Sequence, residues 1–391
     1  MQYRIDERTG NKLSVLGFGC MRFSRGVGGI DLKKAEQLIL RAVDAGVNYF
    51  DTAYLYGGSE NALGLALSKN NLREKVYIAT KLPIANCKSG ADFDRFFDIQ
   101  IAALNTNYVD YYLLHNINTL AQWDELRSWG ICEWIEKQRS AGKFRQIGFS
   151  FHGAKDEFLK VLDIYDWDFC QIQYNYANEN YQAGVEGLKK AAAKHIPVII
   201  MEPLLGGKLA NGLPPTAVDA FKKVSSDRSP AAWGLRWLWN QPEVTVVLSG
   251  MNELAQLEDN LAIADVTTAL TDDEVRAYER VREIFKKTDK VPCTGCAYCM
   301  PCPKGVNIPA CFASYNASYT HGRIPGVTMY ITSTAANRAE NALASKCVEC
   351  GKCEKHCPQN IAVRKELANV TRRMEPWWFN LIMEIMRGRA K

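Results

Sequence analysis

The sequence predicts an α/β chain: a (β/α)₈ barrel followed by a small, mainly helical and irregular cysteine-rich module. Three observations predict it. The first 270 residues alternate eight short apolar runs with longer amphipathic ones. Reactive polar residues stand at the ends of consecutive runs. Nine of the thirteen cysteines lie between Cys293 and Cys357.

The bulk figures bound the reading. The chain has 391 residues, 47% hydrophobic and 23% charged, which suits a globular protein with a large core. A net charge of +5 is mild for this length, and no basic run interleaves with aromatics, so nucleic acid is not an expected partner. Met1–Arg8 is polar and lacks the apolar core of a signal peptide. No uninterrupted apolar stretch reaches the about 18 residues of a transmembrane segment. These features predict a cytoplasmic protein. Thiols stay reduced there, and clustered cysteines hold metal rather than disulfides.

The strand candidates are Ser14–Gly19, Asn48–Asp51, Val76–Lys81, Tyr111–His115, Gln146–Ser150, Phe169–Ile172, Val198–Met201 and Val244–Leu248. Helical patterns separate them: Leu32–Ala45, Glu60–Ser68, Phe93–Leu104, Trp129–Ala141, Lys155–Tyr165, Ala183–Lys194, Ala217–Ser225 and Ser229–Asn240. Strict alternation implies a parallel sheet, and eight units in this length match a closed barrel. An open dinucleotide-binding sheet would want G-x-G-x-x-G after the first strand. Gly17-Phe18-Gly19-Cys20-Met21-Arg22 lacks the third glycine. Met1–Lys12 reads as a hairpin turning at Thr9-Gly10-Asn11 and plugging the barrel bottom. Thr271-Asp272-Asp273-Glu274 opens one more helix, to Lys287. Asp289–Pro292 marks the boundary, giving domains 1–288 and 289–391. Met374–Arg389, with Trp377, Trp378 and Phe379, reads as a docking helix.

Chemistry in such a barrel sits where strands end. The second strand ends in Asp51, followed by Tyr56; the third ends in Lys81; the fourth ends in His115. Each alone has a plain structural explanation. Together they suit carbonyl reduction. A carbonyl accepting a hydride needs a proton, and a phenol with a pKa of about 10 needs tuning to give one. A nearby ammonium tunes it, a carboxylate holds the ammonium, and an imidazole can donate to the carbonyl oxygen.

Residues 1–285 resemble the aldo-keto reductase family. The motifs are Asp51-Thr52-Ala53-x-x-Tyr56-Gly57, Thr80-Lys81 and Leu114-His115. The resemblance implies that Tyr56 is the general acid–base, that Lys81 and Asp51 tune it, and that His115 orients the carbonyl of a small aldehyde, ketone or alcohol substrate. It also implies an NAD(P)H site. Ser150 and Gln171 would bond the carboxamide, Met201 would stand where an aromatic commonly stacks on the nicotinamide, Met21 would contact the cofactor, and Leu204, Gly206 and Lys208 would follow the pyrophosphate. Ser249, Gln256 and Asn260 would hold the adenosine end.

The sequence departs from the family pattern at three places. Phe151 follows the serine where asparagine is common, Met201 replaces the stacking aromatic, and Gly250 and Gln256 stand where basic residues often meet a 2′-phosphate. These changes favour NADH at least as much as NADPH, and leave a flavin open as carrier.

Cys347-x-x-Cys350-x-x-Cys353-x-x-x-Cys357-Pro358 has the bacterial ferredoxin spacing. Zinc sites instead pair two separated C-x-x-C units. Cys293-x-x-Cys296-x-x-Cys299-x-x-Cys302-Pro303 is one residue short between its last two cysteines. In two-cluster ferredoxins the fourth cysteine of each run ligates the other cluster. The module resembles one with an insertion, Gly305–Lys346. That resemblance implies two [4Fe–4S] clusters, one on Cys293, Cys296, Cys299 and Cys357, the other on Cys347, Cys350, Cys353 and Cys302. Cys311 remains, as a buried thiol or a substitute for Cys302. Few apolar residues surround the runs, so cluster assembly is expected to carry the folding of the module.

Two functions stay open. One is a nicotinamide-dependent carbonyl reductase whose clusters are structural or redox-sensing. The other is an electron-transfer reductase in which the clusters link a partner such as ferredoxin to a flavin or nicotinamide in the barrel.

Overall fold

The computed structural model describes residues 1–266, 268–336, 341–377 and 379. The chain forms two compact units by contact. One comprises Met1–Leu204 with Ala231–Leu270; the other comprises Leu205–Pro230 with the described residues from Thr271 onward.

The first unit is a closed barrel of eight parallel strands: Leu16–Gly19, Tyr49–Asp51, Tyr77–Leu82, Val109–Leu114, Phe144–Phe151, Phe169–Gln173, Val198–Met201 and Val244–Ser249. Every run predicted from alternation is a strand, with ends within two residues. The eighth strand pairs with the first through Val247 and Leu16, which closes the sheet.

Period-two alternation sorts the side chains. Leu16, Phe18, Phe50, Ile78, Tyr112 and Ile172 face the outer core shared with the helices. Tyr49, Ala79, Tyr111, Leu113, Phe169, Ile199, Val246 and Leu248 fill the inside. Two residues further along, the same parity carries Asp51, Lys81, His115, Gln171 and Met201 to the inner side at the carboxyl ends. The core pattern therefore positions the site.

The amino-terminal hairpin pairs Tyr3–Ile5 with Lys12–Ser14. Leu13 joins the inner cluster, and the Tyr111 hydroxyl donates to Asp6 Oδ2 at 2.8 Å while accepting from Asn11 Nδ2 at 3.1 Å. The hairpin closes the bottom of the barrel, as its turn residues predict.

The long connection before the fifth strand contains two helices rather than one, Leu120–Ser128 and Ile131–Ser140. Thr119 caps the first reciprocally with Gln122, and Gly130, at φ +82°, separates them. A further helix, Leu254–Ile263, follows the last strand.

In the second unit, Pro215–Lys222 packs on Asp272–Thr288, with the rings of Phe221 and Tyr278 5.6 Å apart. Thr271 caps the latter helix with Glu274, as predicted. The predicted insertion forms Ile308–Thr320 and Arg323–Ile331, which join Val363–Met374. Phe312, Val327, Tyr330, Leu367 and Val370 are among the buried residues of their common core. The expectation of few apolar residues around the runs is corrected here: the apolar residues lie on the insertion and the last described helix. The predicted tail helix falls, past Trp377 and apart from Phe379, outside the described residues. Among the described residues no helix is long and apolar enough to cross a membrane.

Candidate active site and cluster site

The four strand-end residues meet at the barrel mouth. Lys81, 1% exposed, donates to both oxygens of Asp51 at 2.7 Å and to Thr52 O at 2.7 Å. All three ammonium protons are thereby engaged. Its Nζ lies 5.0 Å from the centre of the Tyr56 ring. The His115 ring stands edge-on to Tyr56 at 6.1 Å. Tyr56 is in a short turn, Tyr54–Tyr56, closed by Gly57 at φ +45° and tied by Arg25 to the carbonyls of Tyr56 and Gly57.

Burial sets the charge states. It raises the Asp51 carboxyl and lowers the Lys81 ammonium, and each partner's charge opposes that change. Burial, then Lys81 and His152, push His115 well below the ordinary imidazole range. His115 is thus a neutral ring, and its buried Nδ1 has no hydrogen-bond partner. His152, beside Gln182 Oε1 at 3.2 Å, is lowered by burial to about 4.

The expected nicotinamide residues divide into three groups. Ser150 and Gln171 lie with the tetrad. Ser150 Oγ accepts from Asn116 N at 2.9 Å, and Gln171 Nε2 donates to Asp51 Oδ2 at 3.2 Å. Gln171 Oε1 is buried without a partner. Met201 ends the seventh strand and packs against the inner cluster; Met21 sits half-buried in the turn after the first strand. Leu204 packs against Gly234 in the same unit.

At the eighth strand, Asn260 Nδ2 donates to Ser249 Oγ at 2.9 Å. Gln256 Oε1 is engaged in capping its own helix, accepting from Asn252 N at 2.9 Å. The stem of Arg22 lies against Gly250, where a Cβ would come 2.7 Å from Arg22 Cγ.

Gly206 and Lys208 belong to the second unit and have other partners. A Cβ on Gly206 would lie 2.2 Å from Thr294 O, and Lys208 is bonded to Asp289 and Val291.

Sequence reasoning missed Gln173. It continues the inner parity of Gln171, is fully buried, and has neither amide atom hydrogen-bonded. Alternation along Gln171-Ile172-Gln173 could have found it.

The cysteines of the second unit line two pockets. Cys302, Cys347, Cys350 and Cys353 line one of about 350 Å³. Cys293, Cys296, Cys299 and Cys357 line a smaller one, and Cys299 borders both. Among the described residues no three such ligands close to the spacing of a single metal ion. A cubane spreads its thiolates over a wider tetrahedron than one ion does. Both runs share a backbone signature. Gly295 and Ala297 have φ of +67° and +63°; Glu349 and Gly351 have +57° and +72°. Left-handed residues therefore stand at the third and fifth positions of each run. Cys311 is fully buried in Ile308–Thr320, directed at Ala342 O at 3.8 Å.

Comparison with known proteins identifies the two parts of the chain. The model of the aldo/keto reductase family matches residues 15–283, and that of the 4Fe-4S dicluster domain matches 292–362. Among curated relatives, the uncharacterised oxidoreductase YrpG of Bacillus subtilis is 27% identical, over 68% of this chain and 92% of its own. L-galactose dehydrogenase of Arabidopsis thaliana is 28% identical, over 70% and 91%. The solved aldo-keto reductase from Klebsiella pneumoniae in complex with NADPH superposes with a TM-score of 0.60 at 21% identity, over 72% of this chain and 95% of that one. At that identity the likeness is one of fold. The chain is an oxidoreductase that belongs to the aldo/keto reductase family and carries a 4Fe-4S dicluster domain after its barrel.

Proposed function

We propose that the barrel reduces the carbonyl of a small aldehyde or ketone, or runs the reverse oxidation, with Tyr56 as general acid–base. The observation that carries this reading is the buried Lys81, bridged to Asp51 and 5.0 Å from the Tyr56 ring, with His115 edge-on to that ring. A buried ammonium favours the phenolate and lowers the barrier to giving up the phenol proton. Asp51 keeps the ammonium charged and fixed. A neutral His115 donates a hydrogen bond to the oxygen without competing for the proton.

The mouth also fits a nicotinamide. Gln171 Oε1 and both amide atoms of Gln173 are buried without partners, and a carboxamide carries the complementary donor and acceptor. Such a cofactor would supply the hydride. The complex with NADPH known for the Klebsiella pneumoniae neighbour is in keeping with this; Gly250 and Gln256 are uncharged, but the stem of Arg22 lies against Gly250, so NADH and NADPH both remain candidates.

In the second domain the reading is two [4Fe–4S] clusters, on Cys293, Cys296, Cys299, Cys357 and on Cys302, Cys347, Cys350, Cys353. The grouping of cysteines around the two pockets and the repeated left-handed positions support it, despite the short Cys299–Cys302 spacing. A redox partner of ferredoxin type would exchange single electrons there.

Replacing Tyr56 with Phe tests the acid. Single-turnover hydride transfer should fall by about 10²–10⁴ while nucleotide affinity, read by fluorescence, is retained. Near-parental transfer in this variant would remove Tyr56 from the mechanism.

A further inference from the structure

Lys208 lies in a segment whose contacts belong to the cluster module. Its ammonium bonds Asp289 Oδ1 and donates to Val291 O at 3.0 Å. Asn316 Nδ2 donates to the same carboxylate at 2.7 Å and to the same carbonyl at 2.7 Å. Its Oδ1 accepts from Val291 N at 2.9 Å. Val291 O also accepts the amide of Cys293 at 2.8 Å. One carbonyl therefore joins the ammonium directly to the first cysteine of its run. The pair is secluded: the Lys208 and Asp289 side chains are 20% and 10% exposed.

Backbone packing holds the same place. Gly206, at φ +66°, presses on Thr294 O so closely that no side chain would fit. A lysine 81 residues before Asp289 in sequence is thus fixed beside the Cys293 loop.

We propose that Lys208 is a positioning residue of the Cys293 cluster: with Asp289 it forms a largely secluded charge pair that tunes the reduction potential of that cluster, and it does not bind the nucleotide pyrophosphate. The proposal rests on the cluster reading of Cys293, Cys296, Cys299 and Cys357. Reduction adds one negative charge to a cluster, and local charge and hydrogen bonding set its potential. A cation nearby favours the reduced form; an anion opposes it. Low exposure leaves the pair little screened.

The two members of the pair should act in opposite directions. The full chain, reconstituted anaerobically, is titrated with EPR detection, and NADH and NADPH affinities are measured in parallel. Lys208→Met should move one potential more negative, leave the other in place, and leave both nucleotide affinities unchanged. Asp289→Asn should move the same potential more positive. A merely structural bond would give losses of one sign in both variants. Shifts of the same sign, no shift, or a tenfold loss of nucleotide affinity in Lys208→Met would overturn the proposal. If Lys208→Met does not retain the cluster, Lys208→Arg decides with Asp289→Asn. A parental potential in the first and a positive shift in the second support the proposal; any other pattern overturns it. Parent protein that takes up no iron would overturn the cluster reading itself, and the proposal with it.

Discussion

Lys81 stays charged inside the barrel because Asp51 meets it with both oxygens. Breaking such a buried pair from one side costs about 3–5 kcal/mol, because the remaining charge is left unsolvated. The two neighbouring imidazoles are the opposite case: burial keeps His115 and His152 neutral. In the native state His152 takes its proton only near pH 4, whereas an unfolded histidine does so near 6.5. Between these values the unfolded chain binds more protons, so stability is present in full above pH 6.5 and falls as the pH drops toward 4. The loss has a limiting slope of about 1.4 kcal/mol per pH unit for one group. His115, held neutral by the same burial, adds a loss of the same sign, so urea unfolding followed at the barrel tryptophans should show at least this slope, and His152→Gln should reduce it. An unchanged pH dependence in that variant would mean the proton is taken elsewhere. These residues were legible to different degrees. Asp51, Tyr56, Lys81 and His115 fall at consecutive strand ends, so sequence order alone brings them together. Gln173 was not found because the strand was read only to Ile172; one further step of the alternation puts it on the inner face beside Gln171, where its amide is buried without hydrogen bonds.

At the level of elements, the strands were readable because inner and outer packing impose opposite parities on each of them. The helix Leu120–Ser128 was missed although Thr119-x-x-Gln122 announces its start; a second start at Gly130 directs attention to the stronger amphipathic run. The cluster runs hide their conformation in a different way. Left-handed glycines are expected from their chemistry, but Ala297 and Glu349 also adopt φ of +63° and +57°. A non-glycine residue there carries a strain of roughly 1–2 kcal/mol. Its persistence in both runs points to loops whose amides must turn inward toward a group of negative charge. Ala297→Gly and Glu349→Gly relieve that strain and keep the turn. Each should reconstitute at least as readily as the parent, whereas Ala297→Val should assemble poorly. Iron uptake rates under limiting sulfide compare them directly. Slower uptake in both glycine variants would show that the left-handed turns are not what the cluster needs.

Among the described residues, the barrel and the cluster module each have a core of their own. Barrel packing centres on the inner and outer strand faces, while Phe312, Val327, Tyr330, Leu367 and Val370 belong to a separate core built from the insertion and the last described helix. Sequence reading placed the second domain's stability in its metal, because few apolar residues stand beside the cysteines along the chain; in space six of the cysteines pack against an apolar core. Apolar residues are plentiful on Ile308–Thr320, Arg323–Ile331 and Val363–Met374, which come from between and after the runs. Burial of several large side chains contributes about 1.5–3 kcal/mol each, enough to hold helices together when a single cluster is lost. Cys350 lines only the larger pocket, away from Cys293, Cys296 and Cys357. Cys350→Ser should therefore lower iron from about eight to about four atoms per chain, as removal of one cubane requires. Amide exchange should remain slow in Ile308–Thr320 and Val363–Met374 and in all barrel strands. Rapid exchange throughout both helices would show that the apolar core cannot stand without both clusters. Four irons in the parent, with the Cys293–Cys302 thiols open to alkylation, would instead show that the first run holds no cluster, and its short final spacing would be the cause.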